Sequence, residues 1–60
     1  MKASELLRLL LNAVWYAERQ KGSHIKLVHP ERKNFIVFPN HDSKEIGKGL
    51  EMKIRKQAGI

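Results

Sequence analysis

Three runs of strand-forming residues lie between positions 15 and 39, and the links between them are only a few residues long. Parallel strands need a crossover of about a dozen residues or more, so links this short leave only antiparallel neighbours. The first run, 15–20 (WYAERQ), carries two aromatic residues that favour a strand. Lys21-Gly22-Ser23 joins it to the second run, and Gly22 can take the positive φ of a tight turn because it has no Cβ. The second run, 24–29 (HIKLVH), alternates, and Pro30 closes it because proline cannot donate to a ladder. After a polar turn at 31–34 comes Phe35-Ile36-Val37-Phe38, ended by Pro39. An uninterrupted apolar run predicts a central strand, or one covered on both faces.

Helices flank this unit. Upstream of Gly22 there is no proline or glycine; Ser4 is suited to cap a helix, and Glu5 falls in its first turn, where the dipole favours negative charge. Leu6, Leu7, Leu10, Leu11 and Val14 recur at helical spacing and predict a core face, with Lys2 and Arg8 outside. Positions 40–47 read as a polar loop. A second helix over 48–58 has Leu50, Ile54 and Ala58 at i, i+4 and i+8, and Gly59 followed by Ile60 is the pattern of a Schellman end. The expected fold is α+β: one domain over residues 1–60, ordered α-β-β-β-α, with a three-stranded antiparallel sheet and both helices on one face. The other face is then open. If Ile25 and Leu27 face the helices, alternation puts His24 and Lys26 on the open side.

A chain of 60 residues makes one domain with a thin core, burying about 60% of the surface its unfolded form exposes. It has no cysteine, so disulfides and thiolate metal sites are excluded. The apolar opening is interrupted by Glu5 and Arg8, and nothing approaches the roughly 20 apolar residues of a bilayer span. We therefore expect a soluble, cytoplasmic protein. Twelve Lys and Arg against six Asp and Glu give a net charge of +6, a field that draws phosphate polyanions or an acidic partner. These cations are scattered rather than gathered on one amphipathic helix, which argues against a membrane surface.

The inventory for chemistry is short. His24, His29 and His41 include no i, i+4 pair, and His24 and His29, five apart, fall on opposite faces of one strand. Neither a metal nor a cofactor is expected. Ser23 and His24 are adjacent on an extended chain and point apart, so they form no triad. Gly47-Lys48-Gly49 is a weak anion signal, equally a flexible start to the second helix. One histidine among lysines does suit RNA cleavage, because RNA carries its own nucleophile, the 2′-OH. Such cleavage needs a base, an acid for the 5′ leaving oxygen, and cations for the developing phosphorane charge. On composition alone a histidine after a hairpin turn is more often a solvated strand residue. His29, before Pro30, reads as a capping or packing residue, and His41 as an ordinary loop residue. Trp15 and Tyr16 are able to stack bases, with at least one of them in the core.

The segment Arg19-Gln20-Lys21-Gly22-Ser23-His24 and the ending Ile54-Arg55-Lys56-Gln57-Ala58-Gly59-Ile60 resemble the HicA toxins of bacterial type II toxin–antitoxin systems. The likeness runs the whole length, from Lys2-Ala3-Ser4-Glu5-Leu6-Leu7 through Trp15 and Pro39 to the closing helix. It implies a double-stranded-RNA-binding-domain-like fold and an mRNA interferase that cuts RNA without the ribosome as obligate partner. It also implies a HicB antitoxin that covers the active face. In that family the histidine after Gly-Ser carries activity, here His24. The expected site is then His24 as general base or acid, Gly22 and Ser23 shaping the turn, and Lys21 and Lys26 holding the phosphate backbone; Lys53, Arg55 and Lys56 are weaker candidates. Two positions depart from the family: Ile25 stands where many members have a second histidine, and Val14 where a glycine often precedes the tryptophan. The competing readings are a non-catalytic RNA-binding module of similar fold and a basic protein whose only business is an acidic partner.

Overall fold

Helix α1 (Ala3–Asn12) starts two residues earlier than Ser4 suggests. Its N-cap is Lys2, whose N–H donates to the Glu5 carboxylate at 3.1 Å, so Glu5 reaches back to the cap rather than merely sitting in the dipole's field. The start is fixed from outside the helix. The Ala3 N–H donates to the Lys44 carbonyl at 2.9 Å, the Ile46 N–H donates to the Met1 carbonyl at 3.0 Å, and Lys2 bridges Glu45 antiparallel. This tie draws Ile46 into the core, correcting the reading of 40–47 as wholly polar loop. The computed structural model describes residues 1–39 and 44–60; His41 and the rest of 40–43 lie outside the described residues.

The Met1 amine sits 2.9 Å from the Glu45 carboxylate. That hydrogen bond, above all, raises the amine above the ordinary value of a terminal amino group. Because the folded value is the higher one, the contribution is complete below about pH 8 and fades as pH rises through the folded value. We expect the denaturation-midpoint gap between wild type and Glu45→Gln to be constant from about pH 6 to 7.5 and to close at higher pH. A gap independent of pH would contradict this.

Helix α1 ends in a Schellman motif. Trp15 N–H donates to Leu10 O and Val14 N–H to Leu11 O, each at 3.1 Å. The motif requires a left-handed residue at its turn, and the sequence supplies Val14, with φ 76°. A β-branched residue there costs about 1–2 kcal/mol. Its side chain is 57% exposed, so packing returns little, and neither Val14 nor Leu11 joins the core as the spacing suggested. Burial of Trp15 and Leu10 on either side of the turn holds the strained form in place. Val14→Gly should therefore stabilise the protein by about 0.5–1 kcal/mol net of the added freedom of the unfolded chain. Thermal unfolding should move up by several degrees; a fall would refute the strain.

Strands β1 (Tyr16–Lys21), β2 (His24–His29) and β3 (Arg32–Pro39) pair antiparallel in the order β1-β2-β3. The central strand is thus β2, not the apolar run at 35–38. A meander places its middle strand in the middle, and β3 alternates: Ile36 and Phe38 are buried while Phe35 and Val37 face outward, about half exposed. The β1–β2 link is a two-residue loop with Gly22 at φ 60° and Ser23 not in the left-handed region, the arrangement of a type II′ hairpin.

Helix α2 (Lys48–Ala58) closes with Gly59 at φ 73°, and Gly59 N–H and Ile60 N–H return to Lys56 O and Arg55 O at 3.3 and 3.0 Å. This is the expected Schellman end with its proper residue. The Arg32 side chain lies against Gly59, where a Cβ would collide with the guanidinium. Leu6, Leu10, Trp15, Leu27, Ile36, Phe38 and Ile54 are the largest fully buried side chains, joined by Ala3, Ile25, Ile46 and Ala58. Each large one contributes about 1.5–3 kcal/mol by leaving water. Leu50, expected among them, is 42% exposed at the rim between α2 and β3.

Candidate active site on the open sheet face

Ile25 and Leu27 point into the core, so β2 turns His24, Lys26 and Val28 to the opposite side, as the alternation predicts. Directly opposed residues of an antiparallel pair share a face. Lys21 lies opposite His24, Arg19 opposite Lys26, and Tyr16 opposite Val28 on β1; Val37 lies opposite Lys26 and Pro39 opposite His24 on β3. The open face therefore gathers His24 with Arg19, Lys21 and Lys26. Unbroken alternation from the core-facing Trp15 would have put Arg19 and Lys21 toward the helices. A bulge between Ala17 and Arg19 shifts the register by one residue, with Glu18 as the extra one. That bulge brings Lys21 beside His24, and no sequence signal marked it.

The two described histidines differ in their surroundings. The His29 ring meets Trp15 edge-on, centroids 5.1 Å apart. Its Nδ1 accepts the Glu31 N–H at 3.0 Å, which places the proton on Nε2, and Nε2 donates to the Ala13 carbonyl at 3.1 Å. Both nitrogens are engaged, and His29 is the packing and capping residue that its place before Pro30 suggested. His24 is exposed, and no hydrogen bond to its ring forms within the described residues. Gln20 steadies the turn that presents it, its Nε2 donating to the Gly22 carbonyl at 3.2 Å.

Lys26 is not a free cation. Its Nζ lies 3.2 Å from Glu18 Oε1 and 4.7 Å from the Phe35 ring centroid. The ion pair is half-exposed and worth about 0–1 kcal/mol. Lys21 and Arg19 are exposed on this face, and Arg19 and Phe35 are the residues that the sequence reading did not single out. Arg55, one of the weaker candidates, is partly exposed, and its Nε donates to Glu51 at 2.9 Å along α2. Lys53 and Lys56 are exposed. Gly47 caps α2 without a side-chain hydrogen bond, as a plain helix start does. Among the described residues no three His, Asp or Glu side chains converge, and no helix is long and apolar enough to cross a membrane.

Residues 3–60 match the family described as HicA toxin of bacterial toxin-antitoxin. A protein of Pseudomonas fluorescens (strain Pf0-1) described as "Probable mRNA interferase HicA" is 40% identical over 60 residues, covering all of this chain and 97% of its relative. A chain of the solved "HicA3 and HicB3 toxin-antitoxin complex" superposes with a TM-score of 0.83 at 34% identity, covering all of this chain and 96% of that one. With the α-β-β-β-α order, the hairpin that presents His24 and the closing helix all accounted for over nearly the whole length, this chain belongs to the HicA family of toxins of bacterial toxin–antitoxin systems.

Proposed function

We propose that this protein is an endoribonuclease toxin that cuts messenger RNA with His24 as its proton-transfer group and without a metal ion, arresting translation and growth. The observation that carries the reading is the contrast between the histidines. His29 is held at both ring nitrogens, whereas His24 stands exposed on a cationic face opposite Lys21. The relative described as an mRNA interferase supports the choice of substrate.

In the proposed reaction the ribose 2′-OH loses its proton and its oxygen bonds to the adjacent phosphorus. The P–O5′ bond breaks, and the departing oxygen takes up a proton. The products are a 2′,3′-cyclic phosphate and a 5′-hydroxyl, so atoms and charge balance without redox chemistry. His24 moves the proton at one of these two oxygens, help worth roughly 10²- to 10⁴-fold. Lys21, its cross-strand neighbour, and Arg19 offset the charge that builds on the phosphorane. Lys26, which the sequence reading paired with Lys21, adds to this field once the phosphate displaces Glu18. Gly22 and Ser23 hold the turn that presents the imidazole.

We also propose a HicB-type antitoxin as protein partner, since the similar solved chain is part of a HicA3 and HicB3 complex. A carboxylate-bearing antitoxin surface would complement the +6 charge and cover the His24 face. Induced expression in bacteria of wild type and His24→Ala tests the reading. Wild type should stop growth and degrade messenger RNA, and the variant should do neither. Equal toxicity from both would remove His24 from the mechanism; an inert wild type would remove the toxin reading.

A further inference from the structure

We propose that the groove between β3 and α2 is a nucleobase subsite, in which one unpaired base of the RNA substrate stacks on Phe35. The proposal rests on the nuclease reading and names which part of the substrate the protein recognises beside the cut.

The groove is lined by Phe35, Val37, Leu50, Lys53, Ile54 and Gln57. Phe35 and Val37 belong to the open face, so the groove continues the surface that carries His24. Its walls suit a planar aromatic ring. Phe35 is 52% exposed, and Val37 and Leu50 are also outward apolar chains that core packing does not explain. Its charge suits the phosphates on either side of a base: Lys53 lies in the lining, the Lys26 ammonium stands over the Phe35 ring, and no lining residue is acidic. Gln57 contributes an amide with a donor and an acceptor, the groups needed to read a base edge.

The spacing also fits. His24 pairs with Pro39, four residues along β3 from Phe35, or about 13 Å at about 3.3 Å per residue. Even at the stacked spacing of about 3.4 Å per nucleotide, that lies within four nucleotides of the scissile phosphate. An aromatic residue on an open sheet face, flanked by cations, is a general device for holding single-stranded nucleic acid.

The experiment compares purified wild type, Phe35→Ala, Phe35→Trp and Gln57→Ala on one long unstructured RNA, with cut sites mapped at nucleotide resolution. Circular dichroism checks each fold, and Phe35→Trp and Gln57→Ala carry the test should Phe35→Ala unfold. A stacked base is worth about 5- to 150-fold in affinity, so Phe35→Ala should raise KM about 10-fold with a smaller change in kcat. It should also relax the base preference within four nucleotides of the cut. Phe35→Trp should keep or lower KM, and Gln57→Ala should change the preferred base at that position. Unchanged KM and unchanged cut sites in folded variants overturn the subsite while leaving the nuclease reading intact. Wild type that fails to cut RNA overturns both. If cleavage is unaltered and only antitoxin binding weakens, the groove is a protein seat and the proposal is wrong.

Discussion

Replacing Trp15 with alanine is expected to leave much of the protein unfolded without denaturant. Truncating a buried tryptophan costs about 3–5 kcal/mol, and a chain of this length has roughly 3–9 kcal/mol to lose. Trp15 is 2% exposed and does three things at once. It fills the core, it packs its ring against His29, and its burial holds the turn in which Val14 is strained. Losing it should free His29 from its two hydrogen bonds and let the end of α1 fray. Urea unfolding followed by far-ultraviolet circular dichroism measures the loss. A change below about 1 kcal/mol would show that the helix–strand junction does not depend on this side chain.

His24→Ala is expected to have the opposite profile. His24 is exposed and outside the core, so stability should stay within about 0.5 kcal/mol of wild type. Activity should fall by roughly 10²- to 10⁴-fold, the contribution of a positioned proton-transfer group. RNA affinity should persist through Arg19, Lys21 and Lys26. Together the two variants separate the residue that builds the fold from the residue that uses it.

Much of this was legible in the residues because local rules and the fold agree. Gly22 and Gly59 stand at positive φ where the turn and the helix end require it. Ile25 and Leu27 alternate with His24 and Lys26 on a strand with one buried face, so the histidine's side followed from period two alone. Where the reading failed, the cause was tertiary. The cap at Lys2 and the burial of Ile46 both come from pairing between 1–3 and 44–46, about forty residues apart. Phe35-Ile36-Val37-Phe38 looked like a doubly covered strand because four apolar residues in a row do not reveal that every second one faces outward. The bulge at Glu18 is the most consequential omission. It decides which face Arg19 and Lys21 occupy, and no glycine or proline announces it. The pairing of Lys26 with Glu18 arises at that bulge and its contact with Phe35 from the neighbouring β2–β3 pairing, and together they made Lys26 a less available cation than its place beside His24 implied.

Digestion of a defined RNA by purified wild type and His24→Ala, with EDTA present and product ends analysed, tests the central claim most directly. We predict that wild type cuts in EDTA and leaves 2′,3′-cyclic phosphate ends, while the folded variant binds the RNA and leaves it at least 100-fold less cut. Cleavage by the variant at the wild-type rate, or wild-type activity that disappears with EDTA, would contradict it.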